Sequence, residues 1–298
     1  MKKIPVTESV NENSLAIDEM EAIDIVTLML EENQVIYQGV KTCLPQIARA
    51  VDLIVSQWNK GGRVFVVGAG TSGRIGVLDA VELGPTFSVP ADRWIAIVAG
   101  GQKAMWHPLE QHEDDSSKVI KELEQHNLNA RDCVIGITAS GSTSFALAGI
   151  KYANEVNAVT IAISCNHDTT ASSISDCAIE AVVGPEVIRG STRLKAGTTQ
   201  KMIINMLSTA TMIQLGKVYQ NQMVEVQLIN NKLVKRAEQS LMTIADVSEA
   251  EAKILMKKTE HNLKQAIFIS LTDASVEQAE KYLRESNGHL KKAIHNFF

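Results

Sequence analysis

The chain has 298 residues, 45% hydrophobic and 21% charged, a composition that excludes a disordered or fibrous chain and predicts a soluble globular protein. Its length holds one large α/β domain with an appendage, or two ordinary domains. A net charge of −5 argues against a nucleic-acid binder, whose phosphate contacts need clustered Lys and Arg.

The opening Met1-Lys2-Lys3 is followed by polar residues before an apolar leader can form. After a polar lead-in at residues 7–14, Val40, Leu44, Ile47, Val51 and Ile54 recur at spacings of four and three, which puts them on one face of a helix that ends at Gly61-Gly62. Strand-like runs then follow at residues 63–67, 94–98, 133–137, 159–164 and 178–183, separated by stretches long enough for crossover helices, such as 144–156. Strands apolar on both faces and alternating with helices predict a parallel sheet covered on both sides, with ligands bound beyond the strands' carboxyl ends. Cys43, Cys133, Cys165 and Cys177 are scattered without a C-x-x-C pair, the pattern of reduced cytosolic thiols. Residues 202–215 read as an almost wholly apolar, buried helix, but Asn205, Ser208 and Thr209 keep it from resembling a membrane span. A cytoplasmic protein is expected. Beyond Val234 the chain turns to short amphipathic pieces: Ser248 with Glu251 and Ser275 with Gln278 have capping-box spacing, residues 263–271 lie between them, and residues 290–298 close the chain. These predict a small three-helix module. The domains are therefore placed at 1–60 (helical), 61–233 (α/β) and 234–298 (helical).

Three polar turns carry the chemistry. The first, Gly68-Ala69-Gly70-Thr71-Ser72-Gly73-Arg74, joins a strand to a helix start, where close backbone approach, free N–H groups and hydroxyls suit a phosphate. A dinucleotide reading also needs an acidic residue at the end of the next strand, but Ala99-Gly100-Gly101 stands there; no Gly-Lys-Ser/Thr follows for a Walker loop. The second turn, Thr138-Ala139-Ser140-Gly141-Ser142-Thr143-Ser144, repeats the strand, small-polar loop, helix pattern. Together they suit a sugar phosphate. The third, Gly190-Ser191-Thr192-Arg193-Leu194-Lys195, brings Arg193 and Lys195 as complements for phosphate or carboxylate, or as solvated cations of a capped loop.

Glu82, near the end of the helix that the first turn opens, and Glu113 each read by themselves as surface carboxylates. His107, Glu110, His112 and Glu113 lack metal-binding spacing, and no G-x-S-x-G elbow is present. Carboxylate acid–base chemistry remains the enzymatic option, with no cofactor or metal expected.

In order and spacing, the three turns, Asp79-Ala80 with Glu82 and Pro85-Thr86, Ala99-Gly100-Gly101 and Ile163-Ser164-Cys165-Asn166 resemble the N-acetylmuramic acid 6-phosphate etherase family over essentially the whole chain. The resemblance implies a sugar isomerase (SIS) fold, a three-layer α/β sandwich, followed by a module resembling a ubiquitin-associated (UBA) domain. It implies cleavage of the lactyl ether of the sugar phosphate by a metal-free homodimer with sites at the subunit interface, during cell-wall recycling. Glu82 and Glu113 fall on the family's acid–base glutamates, with Glu113 assigned as base and Glu82 as acid. Gly70, Thr71, Ser72, Arg74, Ser140, Ser142, Thr143, Arg193 and Lys195 are assigned to the substrate. The chain departs from the family's pattern at Val81, Leu83-Gly84, Gln111-His112 and Ser142-Thr143-Ser144. Two other readings share the phosphate loops: a noncatalytic sugar-phosphate sensor similar to glucokinase regulatory protein, and an SIS-class sugar-phosphate isomerase. The sensor's relatives have longer chains with duplicated SIS domains.

Overall fold

A computed structural model describes residues 4–228 and 231–298; the basic Met1-Lys2-Lys3 opening lies outside them. Five apolar runs form one sheet: β1 (Val64–Gly68), β2 (Trp94–Val98), β3 (Cys133–Ile137), β4 (Val159–Ser164) and β5 (Cys177–Glu180). All pairings are parallel, in the order β2-β1-β3-β4-β5. The expected last strand, 178–183, is shorter because its partner ends: Ser164 pairs with Glu180, and beyond it only the Ala181 N–H reaches back, to Ser164 O.

Eight helices accompany the sheet: α1 (Ala22–Glu32), α2 (Gln34–Thr42), α3 (Leu44–Asn59), α4 (Gly70–Phe87), α5 (Ser116–Gln125), α6 (Ser144–Glu155), the single turn α7 (Thr170–Ser173) and α8 (Lys195–Gln214). The one helix expected through residues 40–54 is broken at Cys43. Pro45 stands in the first turn of α3, where its missing N–H does no harm, but a helix continuing from α2 would need that donor. Val40, Ile47, Val51 and Ile54 are buried as expected, whereas Leu44 at the break is exposed. α8 begins seven residues before the expected Met202, so the cluster at Thr198, Thr199 and Lys201 is helical rather than loop.

Alternation along β1 sorts the layers. Val67 faces α6, where a Cβ on Gly149 would lie 2.9 Å from its methyl; Val66 faces α4, where a Cβ on Gly76 would lie 2.7 Å away. Successive residues point to opposite faces, so helices cover both sides and a three-layer sandwich results. Phe65, Val67, Val119, Leu123, Val134 and Phe145 form the core between β1, β3, α5 and α6.

The chain divides into two compact units. One holds the chain up to Ala80 with Ala91–Ser208; the other holds Val81–Pro90 with Thr209–Phe298. The second unit contains the end of α4, the end of α8, a hairpin of β6 (Val218–Tyr219) and β7 (Gln222–Met223), and five helices: α9 (Asn231–Ala245), α10 (Glu249–Lys258), α11 (Leu263–Thr272), α12 (Val276–Glu285) and α13 (Leu290–Phe297). Both expected capping boxes form, at Ser248 with Glu251 and at Ser275 with Gln278. α11, α12 and α13 pack together around Phe268, Tyr282 and Phe297, and α9 and α10 extend that core through Leu241 and Met256.

Candidate active site

The sheet register puts Gly68, the last residue of β1, opposite Val98 of β2 and Ile137 of β3. Three loops therefore leave the sheet at one level. The strand order reverses between β1 and β3, and in open α/β sheets the crevice beyond the carboxyl ends at such a point holds the ligand. A cavity of about 510 Å³ opens there.

Its first wall is the turn from β1 into α4. Gly70 takes a left-handed φ of 52°. A Cβ on Gly73 would lie 2.5 Å from Gly68 O, so only glycine lets the helix start this close to the strand. Thr71 and Ser72 line the cavity in the first turn of α4, where amides lack acceptors within the helix and the dipole favours an anion. Ser72 Oγ donates to Gln200 Oε1 of α8 at 2.9 Å, which fixes its rotamer.

The second wall is the hydroxyl turn after β3. Gly141 has a φ of 73°, and a Cβ there would lie 2.2 Å from Thr169 Cβ. Thr138 Oγ1 donates to Thr143 Oγ1 at 2.9 Å, and Thr143 Oγ1 donates onward to Glu113 Oε1 at 3.1 Å. The Phe145 N–H donates to Glu113 O at 3.1 Å, so the start of α6 holds both ends of the glutamate.

The segment after β2 closes a third side. Arg74 Nε donates to Ala104 O at 2.8 Å and Nη2 to His107 O at 3.3 Å, bracing that segment beside Glu110 and Glu113. Ser191, Thr192 and Arg193 close the fourth side with Glu8, which the Arg189 Nε holds through its carbonyl at 2.8 Å. The cavity thus joins two arginines and two hydroxyl turns to three carboxylates, which suits an anionic ligand and proton transfer. Among the described residues no group of three or more His, Cys, Asp or Glu is placed to hold a metal ion.

The chain is 53% identical over 288 residues to N-acetylmuramic acid 6-phosphate etherase 2 of Bacillus licheniformis, covering 97% of both chains. It is 43% identical over 290 residues to the etherase of Lactobacillus acidophilus, again covering 97% of both. The chain belongs to the N-acetylmuramic acid 6-phosphate etherase family. Models of the glucokinase regulatory protein N-terminal SIS domain, the SIS domain and a UBA-like domain match residues 46–154, 117–210 and 268–298. Among solved structures, a phosphoheptose isomerase from Francisella tularensis superposes with a TM-score of 0.50 at 21% identity, covering 65% of this chain and 100% of that one. A putative phosphosugar isomerase involved in capsule formation, from Bacteroides fragilis, gives 0.52 at 21%, covering 67% and 95%. These likenesses show the SIS fold.

For this etherase-family chain, the structure brings Gly70, Thr71, Ser72 and Arg74 together with Ser140, Thr143, Arg193 and Glu113 around one cavity. Three expected residues are not there. Lys195, expected to face an anion, is buried; its Nζ is ion-paired with Glu32 of α1, and its backbone N–H goes to Glu186. Burial acts to raise the Glu32 pKa, but hydrogen bonds from Lys195, Asn13 and Asn11 outweigh it and hold the carboxyl below its usual range. Ser142 points its hydroxyl at Ser140 Oγ, 3.0 Å away, and stays outside the cavity. Glu82 lies in the second unit and is exposed on the last turns of α4. Ser144, at a departure from the family's pattern, donates to Asp114 Oδ1 at 3.2 Å.

Glu8 and Thr192 line the site without having been singled out. The lead-in that carries Glu8 is anchored by long-range bonds: the Thr7 N–H donates to Asn166 Oδ1 at 3.2 Å, and Asn166 Nδ2 donates to Thr7 Oγ1 and Ala139 O, both at 3.0 Å. The signal available in the sequence was Thr7 itself, a small hydroxyl residue opening a segment rich in Asn and Ser.

Proposed function

We propose that this chain cleaves the D-lactyl ether of N-acetylmuramic acid 6-phosphate with water, giving N-acetylglucosamine 6-phosphate and D-lactate, as a carbon–oxygen lyase. The observation that carries the reading is a carboxylate, Glu113, oriented by Thr143 in the same cavity as an anion-suited helix start, in a chain alike end to end with etherases. The phosphate sits at the first turn of α4 with Thr71, Ser72 and the hydroxyl turn at Ser140. The opened sugar then reaches towards Glu113.

The C1 aldehyde acidifies the C2 proton. Glu113 takes that proton, the C2–C3 double bond forms, and the C3–O bond breaks with its electron pair passing to the lactyl oxygen. Glu82 supplies the proton to departing lactate. Water adds to C3 of the unsaturated aldehyde, and C2 is reprotonated, so no net electron transfer occurs. The residues need no metal or cofactor for these steps. Lys195 and Ser142, assigned to the substrate with the others, act in this reading through their partners, Lys195 through its ion pair with Glu32 and Ser142 through Ser140.

The working form is a homodimer with sites at the subunit interface. Two observations support it: Glu82 does not line the protomer's own cavity, and α1 buries none of its residues while Ile23, Val26 and Leu30 are 69%, 57% and 72% exposed. The division 1–60, 61–233 and 234–298 marks a helical arm, the sugar-phosphate domain and the module. No helix among the described residues is long and apolar enough to cross a membrane, and the reading places the enzyme in the cytoplasm, in cell-wall recycling.

The test is product analysis with purified protein and N-acetylmuramic acid 6-phosphate. D-Lactate release is expected, with Glu113→Gln and Glu82→Gln each lowering it by about 10²- to 10⁴-fold. An isomerised sugar, or binding without turnover, would replace the etherase by an isomerase or a sensor.

A further inference from the structure

The division into units cuts α4 between Ala80 and Val81, so the turn that carries Glu82 is packed as part of the C-terminal unit. That turn is weak as a helix. Pro85 has no N–H to give to the Val81 carbonyl, and its ring crowds the same carbonyl, which loosens residues 81–85. The helix stops two residues later with Ser88 at a left-handed φ of 51°, its N–H on Gly84 O and the Val89 N–H on Leu83 O.

An ion-paired bridge grips this stop. Lys217 Nζ donates to Phe87 O at 3.0 Å and is ion-paired with Glu225. Ser88 Oγ donates to Glu225 O at 2.7 Å. The other Glu225 oxygen is ion-paired with Lys264 at the start of α11, and Lys264 Nζ also donates to Gly288 O, just before α13, at 2.7 Å. The Lys264 side chain is 6% exposed, so both its charge and its partners are committed to the fold. Burial acts to raise the Glu225 pKa, yet Lys264 and Lys217 hold the carboxyl below its usual range. Glu225 thus clamps the end of the Glu82 helix to the start of α11 and, through Lys264, to the turn before α13.

We propose that Glu225, with Lys217 and Lys264, is a positioning device for Glu82, and that the C-terminal module is thereby a working part of the etherase. The proposal rests on Glu82 as the acid of the proposed reaction. It assigns the module a mechanical role: it fixes the direction of a proton donor carried on a turn that proline has loosened.

The test uses the full-length chain and the variant Glu225→Gln, with two readouts. Hydrogen exchange at the amides of residues 82–84 and 86–89 should speed up relative to wild type, while exchange in β1 and β3 stays unchanged. The kcat for D-lactate release should fall by about 10- to 100-fold with KM nearly constant, as for a misplaced catalytic group. In the Glu82→Gln background, Glu225→Gln should cost no further activity. Unchanged exchange at residues 82–84 and 86–89 would overturn the proposal, as would an equal loss of kcat in the Glu82→Gln background. If the wild-type chain releases no lactate, the etherase reading fails, and the exchange readout still decides whether the bridge holds the turn. Lys264→Arg, which keeps the charge, should retain most of the kcat that Lys264→Met loses.

Discussion

The Thr143 hydroxyl donates to Glu113 Oε1 at 3.1 Å while accepting from the Thr138 hydroxyl at 2.9 Å, which makes a two-step relay from the end of β3 to the proposed base. A hydrogen bond to a carboxylate orients it as well as stabilising it. Thr143→Val keeps the shape and removes the donor, and is expected to lower kcat for D-lactate release about tenfold, the equivalent of one such bond. Steady-state kinetics would check this; a full kcat would mean that the Glu113 carboxylate does not depend on the Thr143 donor.

Arg74 bridges two carbonyls, Ala104 O and His107 O, from the first helix of the site. A lysine has no planar fork and cannot reproduce both bonds. Arg74→Lys is expected to raise KM several-fold and to lower unfolding stability by about 1.5 kcal/mol, the worth of one lost bond to a charged group. Thermal unfolding and KM together measure it.

Glu186 is 1% exposed and places its two oxygens 2.9 Å from the Lys195 and Ala196 N–H groups, capping α8. This explains why the third polar turn offers Arg193 but no helix start to a ligand. In Glu186→Gln one amide N–H₂ must face a backbone N–H, and stability should fall by about 1–3 kcal/mol. Urea denaturation would show the loss; an unchanged midpoint would mean that the amide finds another acceptor.

The pH dependence of stability should carry the mark of Glu225. Its folded pKa lies below the ordinary glutamate range, so its contribution is fully present above that range and is lost as pH falls through the folded value below it. The stability gap between wild type and Glu225→Gln is therefore expected to be widest near neutrality and to close in acid. Denaturation series at stepped pH would test this, and a gap constant into acid would contradict the depressed pKa.

Much of the fold was legible from local pattern. β2, β3 and β4 fall where the apolar runs put them, because a parallel strand covered on both faces must be apolar throughout. The two capping boxes were readable for the same reason: Ser248 with Glu251 and Ser275 with Gln278 satisfy helix-end amides within four residues of chain. The turns after β1 and β3 were legible as turns because Gly73 and Gly141 stand where a Cβ would collide with Gly68 O or Thr169.

Partners chosen across the chain were not legible. Lys195 reads as a free cation until folding brings Glu32 to it from 163 residues away, and Glu8 reaches the cavity only because Thr7 and Asn166 bond across 159. The place of Glu82 is of the same kind. Its helix start belongs with the sheet, yet Pro85 and the Lys217–Glu225–Lys264 bridge group its own turn with the C-terminal helices. Periodicity and turn chemistry act within a few residues and so can be read in order along the chain. Ion pairs, caps and cavity walls join groups that only the topology makes neighbours, and those assignments belong to the tertiary structure.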